Sequence, residues 1–419
     1  MLLRILVVGG YCGLAVAKFS VLLIASGRVR LNWRQAAGRG AACLLERLGP
    51  SFIKIGQILS ARPDLLHPDF AGPLSALQDR VKPGPTREVE RLIENALARP
   101  IAEAFASFEP VPVACASIAQ VHRAVTWSGR TIALKVKRPG VDRDIALDLA
   151  ALRWMARVFA KLPGSKLLPF GELVEEVAAP LESQLDFRKE AANQRRFRFN
   201  LRQQELVGIP ALVEEFCTDS TIGMEFVEGG GAVSGVDRRR SVVAGLRALY
   251  RMIFFDGFVH ADLHPGNLFF RPGGGLVLLD MGLVAELSPC DRDDFTDFFF
   301  GLVNGEGDRC ASILQAQAAY IAPGFDEARF RADIGKLITR HSALKSREFN
   351  IAVFVGEMIG IQRAHGMRGS VKFIMTVLAM AVFDGICKQH YPDCDFQAEA
   401  RPFLILSRFG RSGPLKVRP

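Results

Sequence analysis

The longest apolar run of the chain is its first. From Ile5 to Ala25 it reads ILVVGGYCGLAVAKFSVLLIA, with Lys18 as the one internal charge. That is about the length needed to span a bilayer. Arg4 precedes the run and Arg28, Arg30 and Arg34 follow it, a bias that places the following residues on the cytoplasmic side of a membrane. An interfacial helix, a buried helix and a signal peptide ending at Ala15-Val16-Ala17 remain open, since a charge at mid-membrane costs a few kcal/mol. Next, Leu44, Leu45, Leu48, Phe52, Ile55 and Leu59 recur at helical spacing, interrupted at Gly49-Pro50, and predict two helices that end by Pro63 and Pro68. Residues 74–107 read as helix with a Pro-Gly-Pro turn at 83–85 and a polar-faced helix from Thr86. From Phe108 the pattern changes to short runs rich in Val, Ile and Ala, turning at Trp127-Ser128-Gly129, which predicts a β-hairpin or meander. Helix returns over 141–204, broken near Pro163-Gly164 and at Pro180. A strand pair over 209–216 and 222–227 precedes Gly229-Gly230-Gly231, and helices dominate after Arg238 except for short strands near 267–271 and 276–280. The order predicts an α+β, bilobal fold with an N-terminal helical extension and the option of one N-terminal transmembrane helix.

Composition narrows this picture. Over 419 residues, 49% are hydrophobic, enough for a substantial core and too many for a disordered chain. The net charge of +9 is scattered, with few aromatics among the basic residues, so nothing points to a nucleic-acid partner. A basic segment beside the most apolar one fits anionic lipid better. The eight cysteines include no C-x-x-C pair and read as core thiols of a reducing compartment. Cys387, His390 and Cys394 lack a fourth ligand for a zinc site.

The chemistry is carried by a few residues in a telling order. His260-Ala261-Asp262 followed by Asn267 keeps the spacing of a protein-kinase catalytic loop, H-R-D-x-x-x-x-N, without its arginine. Upstream, Lys135 in IALKVK stands where a kinase strand lysine reaches the α- and β-phosphates, and Glu190 on a later helical stretch can pair with it. Asp262 would orient or deprotonate an acceptor, and Asn267 would ligate a metal. Asp280-Met281-Gly282 follows an apolar run where D-F-G is expected, so Asp280 is a second metal ligand. Singly each has a plainer reading: an edge lysine, a turn-forming Asp or His, a helix cap. Together, in this order, they predict phosphoryl transfer. No G-x-G-x-x-G precedes the lysine strand; Ala114-Cys115-Ala116-Ser117 stands there, and side chains with a Cβ deny the backbone some of glycine's conformations.

These blocks resemble the UbiB-type, AarF-domain atypical kinases linked to ubiquinone biosynthesis. GPSFIKIGQILSARPDLL is similar to that family's K-x-G-Q signature, ACASIAQVH to its alanine-rich loop, and LDFRKEAAN, VHADLHPGN and LLDMG to its remaining motifs. The resemblance implies a bilobal protein-kinase-like fold: a membrane-associating segment over 1–27, a K-x-G-Q extension over 28–107, an N-lobe over 108–228 and a helical C-lobe over 229–419. It implies ATP and Mg²⁺ as cofactors, with Asp262, Lys135 and Glu190 catalytic, and Asn267 and Asp280 on the metal. The nucleotide would lie against Ala114, Cys115, Ala116, Ser117, Lys135, Glu225 and Val227. Lys54, Gln57 and Asp186 are the regulatory positions of the K-x-G-Q motif. The implied setting is the cytoplasmic face of the cell membrane, with anionic lipid, quinone-precursor-like small molecules and quinone-biosynthesis proteins as partners, no nucleic acid, and a homodimer left open. Three residues depart from the family pattern: Gln184 where E-x-D has its glutamate, Met281 for phenylalanine and Cys115 for alanine. A pseudokinase that binds nucleotide without turnover is the alternative. A small-molecule kinase of the aminoglycoside or choline type fits less well, because the K-x-G-Q block and the alanine-rich loop argue against it.

Overall fold

The computed structural model describes residues 33–60, 66–77, 83–161, 170–228, 235–343 and 348–409. The apolar run at 5–25 and the predicted break at Pro163-Gly164 lie outside them. Among the described residues no helix is long and apolar enough to cross a membrane. The described residues form two compact units, the first made of those within 1–191 and 212–226 and the second of those within 192–211 and 227–419.

In the first unit, α1 (Trp33–Leu48) and α2 (Pro50–Ser60) meet at Gly49, whose φ of 109° lies outside the range ordinary side chains adopt. Then follow α3 (Pro68–Ser75), α4 (Thr86–Leu97) and the single turn α5 (Ile101–Ala104). The sheet comprises β1 (Ser107–Phe108), β2 (Ala114–Cys115), β3 (Ala119–Val125), β4 (Thr131–Lys137) and β6 (Thr221–Glu225). Both β1 and β2 pair with β3, β3 with β4 and β4 with β6, all antiparallel. Strand alternation sorts β4 into two faces. Ile132, Leu134 and Val136 pack with Val89 and Ile93 of α4 and with Phe105 and Phe216. On the opposite face a small cluster of Ala119, Phe187 and Ile222 surrounds the level of Lys135. Three long helices complete the described chain here: α6 (Val141–Phe159), α7 (Phe170–Gln184) and α8 (Phe187–Asn200), which passes into the second unit after Ala191. The expected break at Pro180 is absent, for α7 runs through it; a proline deletes one helical N–H, and the flanking turns hold.

The second unit begins with the rest of α8 and β5 (Val207–Gly208). It continues with α9 (Gly235–Arg251), a π-helical turn (Met252–Asp256), β7 (Phe258–His260), β8 (Leu268–Arg271), β9 (Gly275–Leu278) and β10 (Val284–Glu286). The expected strand over 209–216 is not formed. Its residues make one bridge, Leu212 to Met224, and a 3₁₀ turn at Glu214–Phe216, while the preceding β5 pairs in parallel with β9. The remaining elements are α10 (Pro289–Asn304), α11 (Gly307–Ala316), β11 (Ala318–Ile321), α12 (Glu327–Ser342), α13 (Ile351–Ala364), β12 (Met367–Gly369), α14 (Val371–His390) and α15 (Phe396–Phe409). One continuous core joins them, rich in leucines and in phenylalanines such as Phe295, Phe298, Phe354 and Phe383.

Candidate active site

In the first unit the lysine strand and the helix after it produce one decisive contact. Lys135 Nζ donates to Glu190 Oε1 at 2.6 Å, with the two side chains 13% and 3% exposed. Phe187, at the start of α8, lies beneath the ammonium groups of both Lys135 and Lys137, at 5.4 and 5.5 Å from its ring centroid. A cation held this way can meet an anionic phosphate without a large reorganisation. Helix α8 begins where it does because Asp186 caps it: its Oδ1 accepts the Lys189 N–H at 2.9 Å.

The small-residue loop continues from β2. Ala116 N–H donates to Ala119 C=O at 2.8 Å, which closes a tight turn around the buried Ser117. Burial pushes the Cys115 thiol upward, so it is neutral near pH 7. Ile118 leaves the loop to pack with Phe52 and Ile55 of α2, so the K-x-G-Q helix and the loop share one apolar cluster with α6 and α7. Within the motif, Gln57 Nε2 donates to Leu77 C=O at 3.2 Å, which ties α2 to the segment after α3. The structure does not bring Lys54 and Asp186 together as an ion pair, and Lys54 has no such partner among the described residues. Glu182 is committed to Arg153 at 3.1 Å, and so does not replace the glutamate missing at Gln184. Of the remaining expected contacts, Glu225 closes β6 opposite Ile132, and Val227 is the first residue of the second unit after β6.

In the second unit two short antiparallel pairs hold the ends of the loop from His260 to Asn267. His260 of β7 lies opposite Val284 of β10, and Leu268 of β8 opposite Leu278 of β9. The second ladder extends by one bond, Leu279 N–H to Asn267 C=O at 2.9 Å, which sets Asn267 beside the residue preceding Asp280. His260 is fully buried. Its Nδ1 accepts the Asp262 N–H at 3.1 Å and its Nε2–H donates to Leu279 C=O at 3.0 Å. These two bonds assign the neutral tautomer, and burial lowers the imidazole's affinity for a proton in the same direction. His260 is therefore a brace between the loop and the Asp280 turn. Asp262 is left partly exposed, with His264 Nε2 at 3.9 Å from one carboxylate oxygen.

The metal assignment can be tested on donor chemistry. Asn267 is buried, and its side-chain NH₂ is committed to Asp262 C=O at 2.9 Å, so the amide oxygen is the end left for a cation; among the described residues it accepts no hydrogen bond. Asp280 is exposed and has a φ of 54°, one of two non-glycine residues with positive φ among those described. Such backbone costs of order 1 kcal/mol or more and concentrates at functional turns. No cluster of three His, Cys, Asp or Glu side chains able to hold a metal occurs among the described residues. An amide oxygen and one carboxylate are hard ligands in small number, and this suits Mg²⁺, which takes its other positions from phosphates and water. Sequence reasoning overlooked the supports around this turn: Asn193 Nδ2 donates to Met281 C=O at 3.0 Å, and Arg196 reaches Glu286 at 2.6 Å while stacking on Phe258. The one available signal was LDFRKEAAN itself, whose last residue is that asparagine.

The ABC1 atypical kinase-like domain matches residues 76–314. A probable protein kinase UbiB of Marinobacter nauticus is 31% identical over 388 residues, covering 89% of this chain and 71% of that protein. Its counterpart in Aeromonas hydrophila is 31% identical over 401 residues, covering 92% and 73%. Among solved structures, Rv3197 of Mycobacterium tuberculosis, determined in complex with erythromycin, superposes with a TM-score of 0.54 at 24% identity, covering 83% of this chain and 94% of that one, and so shares the fold. The chain belongs to the ABC1 atypical kinase-like family, the family of the UbiB proteins.

Proposed function

We propose that the protein binds ATP with Mg²⁺ and transfers or hydrolyses its terminal phosphoryl group, in support of isoprenoid-quinone biosynthesis at the cytoplasmic face of the cell membrane. The observation that carries the reading is the Lys135–Glu190 pair, a charged contact held at 2.6 Å on a face otherwise packed by Phe187 and Ile222. Burying two charges is costly, and a fold of this kind gains little stability from it. A phosphate-binding role gives the lysine a reason to be there. Asp262 would orient the acceptor hydroxyl or water and take its proton. Asn267 and Asp280 would hold the metal, which when bound neutralises charge developing on the transferred group. Anionic lipid and small phenolic quinone precursors are the partners this setting favours.

The test is nucleotide binding and phosphate release by the purified full-length chain, with Mg²⁺ and with EDTA, with and without anionic liposomes and phenolic precursor mimics. Metal-dependent binding and slow turnover that Asp280→Asn abolishes are expected. Binding without turnover in every condition would make the protein a nucleotide-gated pseudokinase, and no Mg-ATP binding would remove the reading altogether.

A further inference from the structure

Around Asp280 every second carbonyl is tied down. Leu279 C=O accepts from the His260 ring at 3.0 Å, Met281 C=O from Asn193 Nδ2 at 3.0 Å, and Leu283 C=O from the Ala261 N–H at 3.1 Å. Inside this frame Asp280 has its left-handed φ of 54°, and the Gly282 N–H donates to Asp280 Oδ1 at 3.2 Å. His260 and Ala261 belong to the catalytic loop itself. Asn193 does not: it comes from α8, 88 positions away in sequence, and among the described residues its one side-chain hydrogen bond is to this carbonyl. Helix α8 is fixed against the same region by Arg196 on Glu286 and by Phe197 on Phe258 and His260. Asn193 therefore acts from a secured platform.

We infer that Asn193 is a positioning residue for the metal-binding turn: by holding the Met281 carbonyl it keeps Asp280 in the strained conformation from which its carboxylate meets Mg²⁺. The side chain touches neither metal nor nucleotide in this role. Supports of this kind around ligating groups alter metal affinity by about ten- to a hundredfold when removed. The amide is suited to the task because its NH₂ is an uncharged donor. An aspartate of the same size would set an oxygen against the carbonyl oxygen, and a serine would be too short to reach it. The inference rests on the metal reading of Asp280 given above.

The experiment uses full-length protein as wild type, Asn193→Asp and Asn193→Ser. Mn²⁺ affinity is read by electron paramagnetic resonance in the presence of a non-hydrolysable ATP analogue, and metal-free affinity for the same analogue is read by calorimetry in EDTA. Amide exchange of the peptide covering residues 279–283 is followed without metal. The inference expects both variants to fold, to bind Mn²⁺ at least tenfold more weakly, to keep metal-free nucleotide affinity within about twofold, and to exchange faster at 279–283. Folded variants with wild-type Mn²⁺ affinity would overturn it while leaving the metal site standing. A uniform loss of metal-free binding and of protection throughout the chain would also overturn it, by reducing Asn193 to a general stabiliser. Wild type that binds the analogue but no Mn²⁺ removes the metal reading of Asp280, and the inference with it. Should Asn193→Asp not fold, Asn193→Ser alone decides.

Discussion

A buried ion pair is most sensitive to losing one partner. Glu190→Ala would leave the Lys135 ammonium uncompensated on a shielded face, and we expect a loss of about 3 kcal/mol or more in denaturant unfolding. The double variant Lys135→Met/Glu190→Leu should lose clearly less than the sum of the single changes, while nucleotide binding disappears in all three. Two histidines set a pH trend. His260 and His122 are both held neutral by burial; in His122 burial outweighs the Nδ1–H bond to Glu109 C=O at 2.8 Å, while the Gln120 amide donates to Nε2 at 2.6 Å. Their folded-state pKa values lie below the ordinary 6.5, so their contribution is complete above that value and is lost as the pH falls through and beneath it. The urea midpoint should drop between pH 7.5 and 5.5, less steeply in His122→Gln. At this scale the sequence was informative about one contact, since a strand lysine followed by a helical glutamate pointed to the Lys135–Glu190 pair. The block LDFRKEAAN ends in Asn193 but does not say what that side chain does, because its partner is a backbone carbonyl and carbonyls leave no trace in residue identity.

Elements show the same division. The β3–β4 hairpin and the helix break at Gly49 were legible because alternation and glycine act locally. The strand at β5 and the pairs β7–β10 and β11–β12 are two to four residues long, too short to carry a period, and exist only through distant partners. Helix α1 offers a clean contrast. A Cβ on Gly38 would lie 2.4 Å from the Phe70 carbonyl oxygen, whereas one on Gly40 would meet nothing within 4 Å. Gly38→Ala should destabilise the protein by about 1–3 kcal/mol, and Gly40→Ala should stabilise it by up to about 1 kcal/mol, both read by thermal or denaturant unfolding. The π-helical turn ends in Asp256, whose carboxyl is pushed up to about 6 by burial despite Arg251 at 3.6 Å. Raised from 3.8, this carboxyl favours the folded state while protonated and ceases to do so as the pH climbs through about 6. Asp256→Asn should therefore gain on the order of 2–3 kcal/mol at pH 8 and nothing at pH 4.

For the whole molecule, the charge of +9 suggests where to look for attachment. Sedimentation with vesicles rich in anionic lipid should retain the protein at low salt, and a rise to about 0.5 M salt should release it unless an inserted apolar segment holds it. A succession of helical and strand patterns was legible in the sequence, but the path of the chain between the two units was not. Residues 192–211 belong to the second unit although the first is completed only by 212–226. That arrangement matters most during synthesis. The ribosome releases the chain from its amino end, and early parts fold first. Phe197 and Val207 emerge well before Phe258 and Leu276, the residues against which they finally rest. For that interval Phe197, Leu201 and Val207 have nothing to settle on, and stalled nascent chains in which Phe226 has just left the ribosome should recruit chaperones there. The same detour means that no single cut yields an intact second half, so a gene encoding only the residues after Val227 should give an insoluble product until 192–211 is supplied.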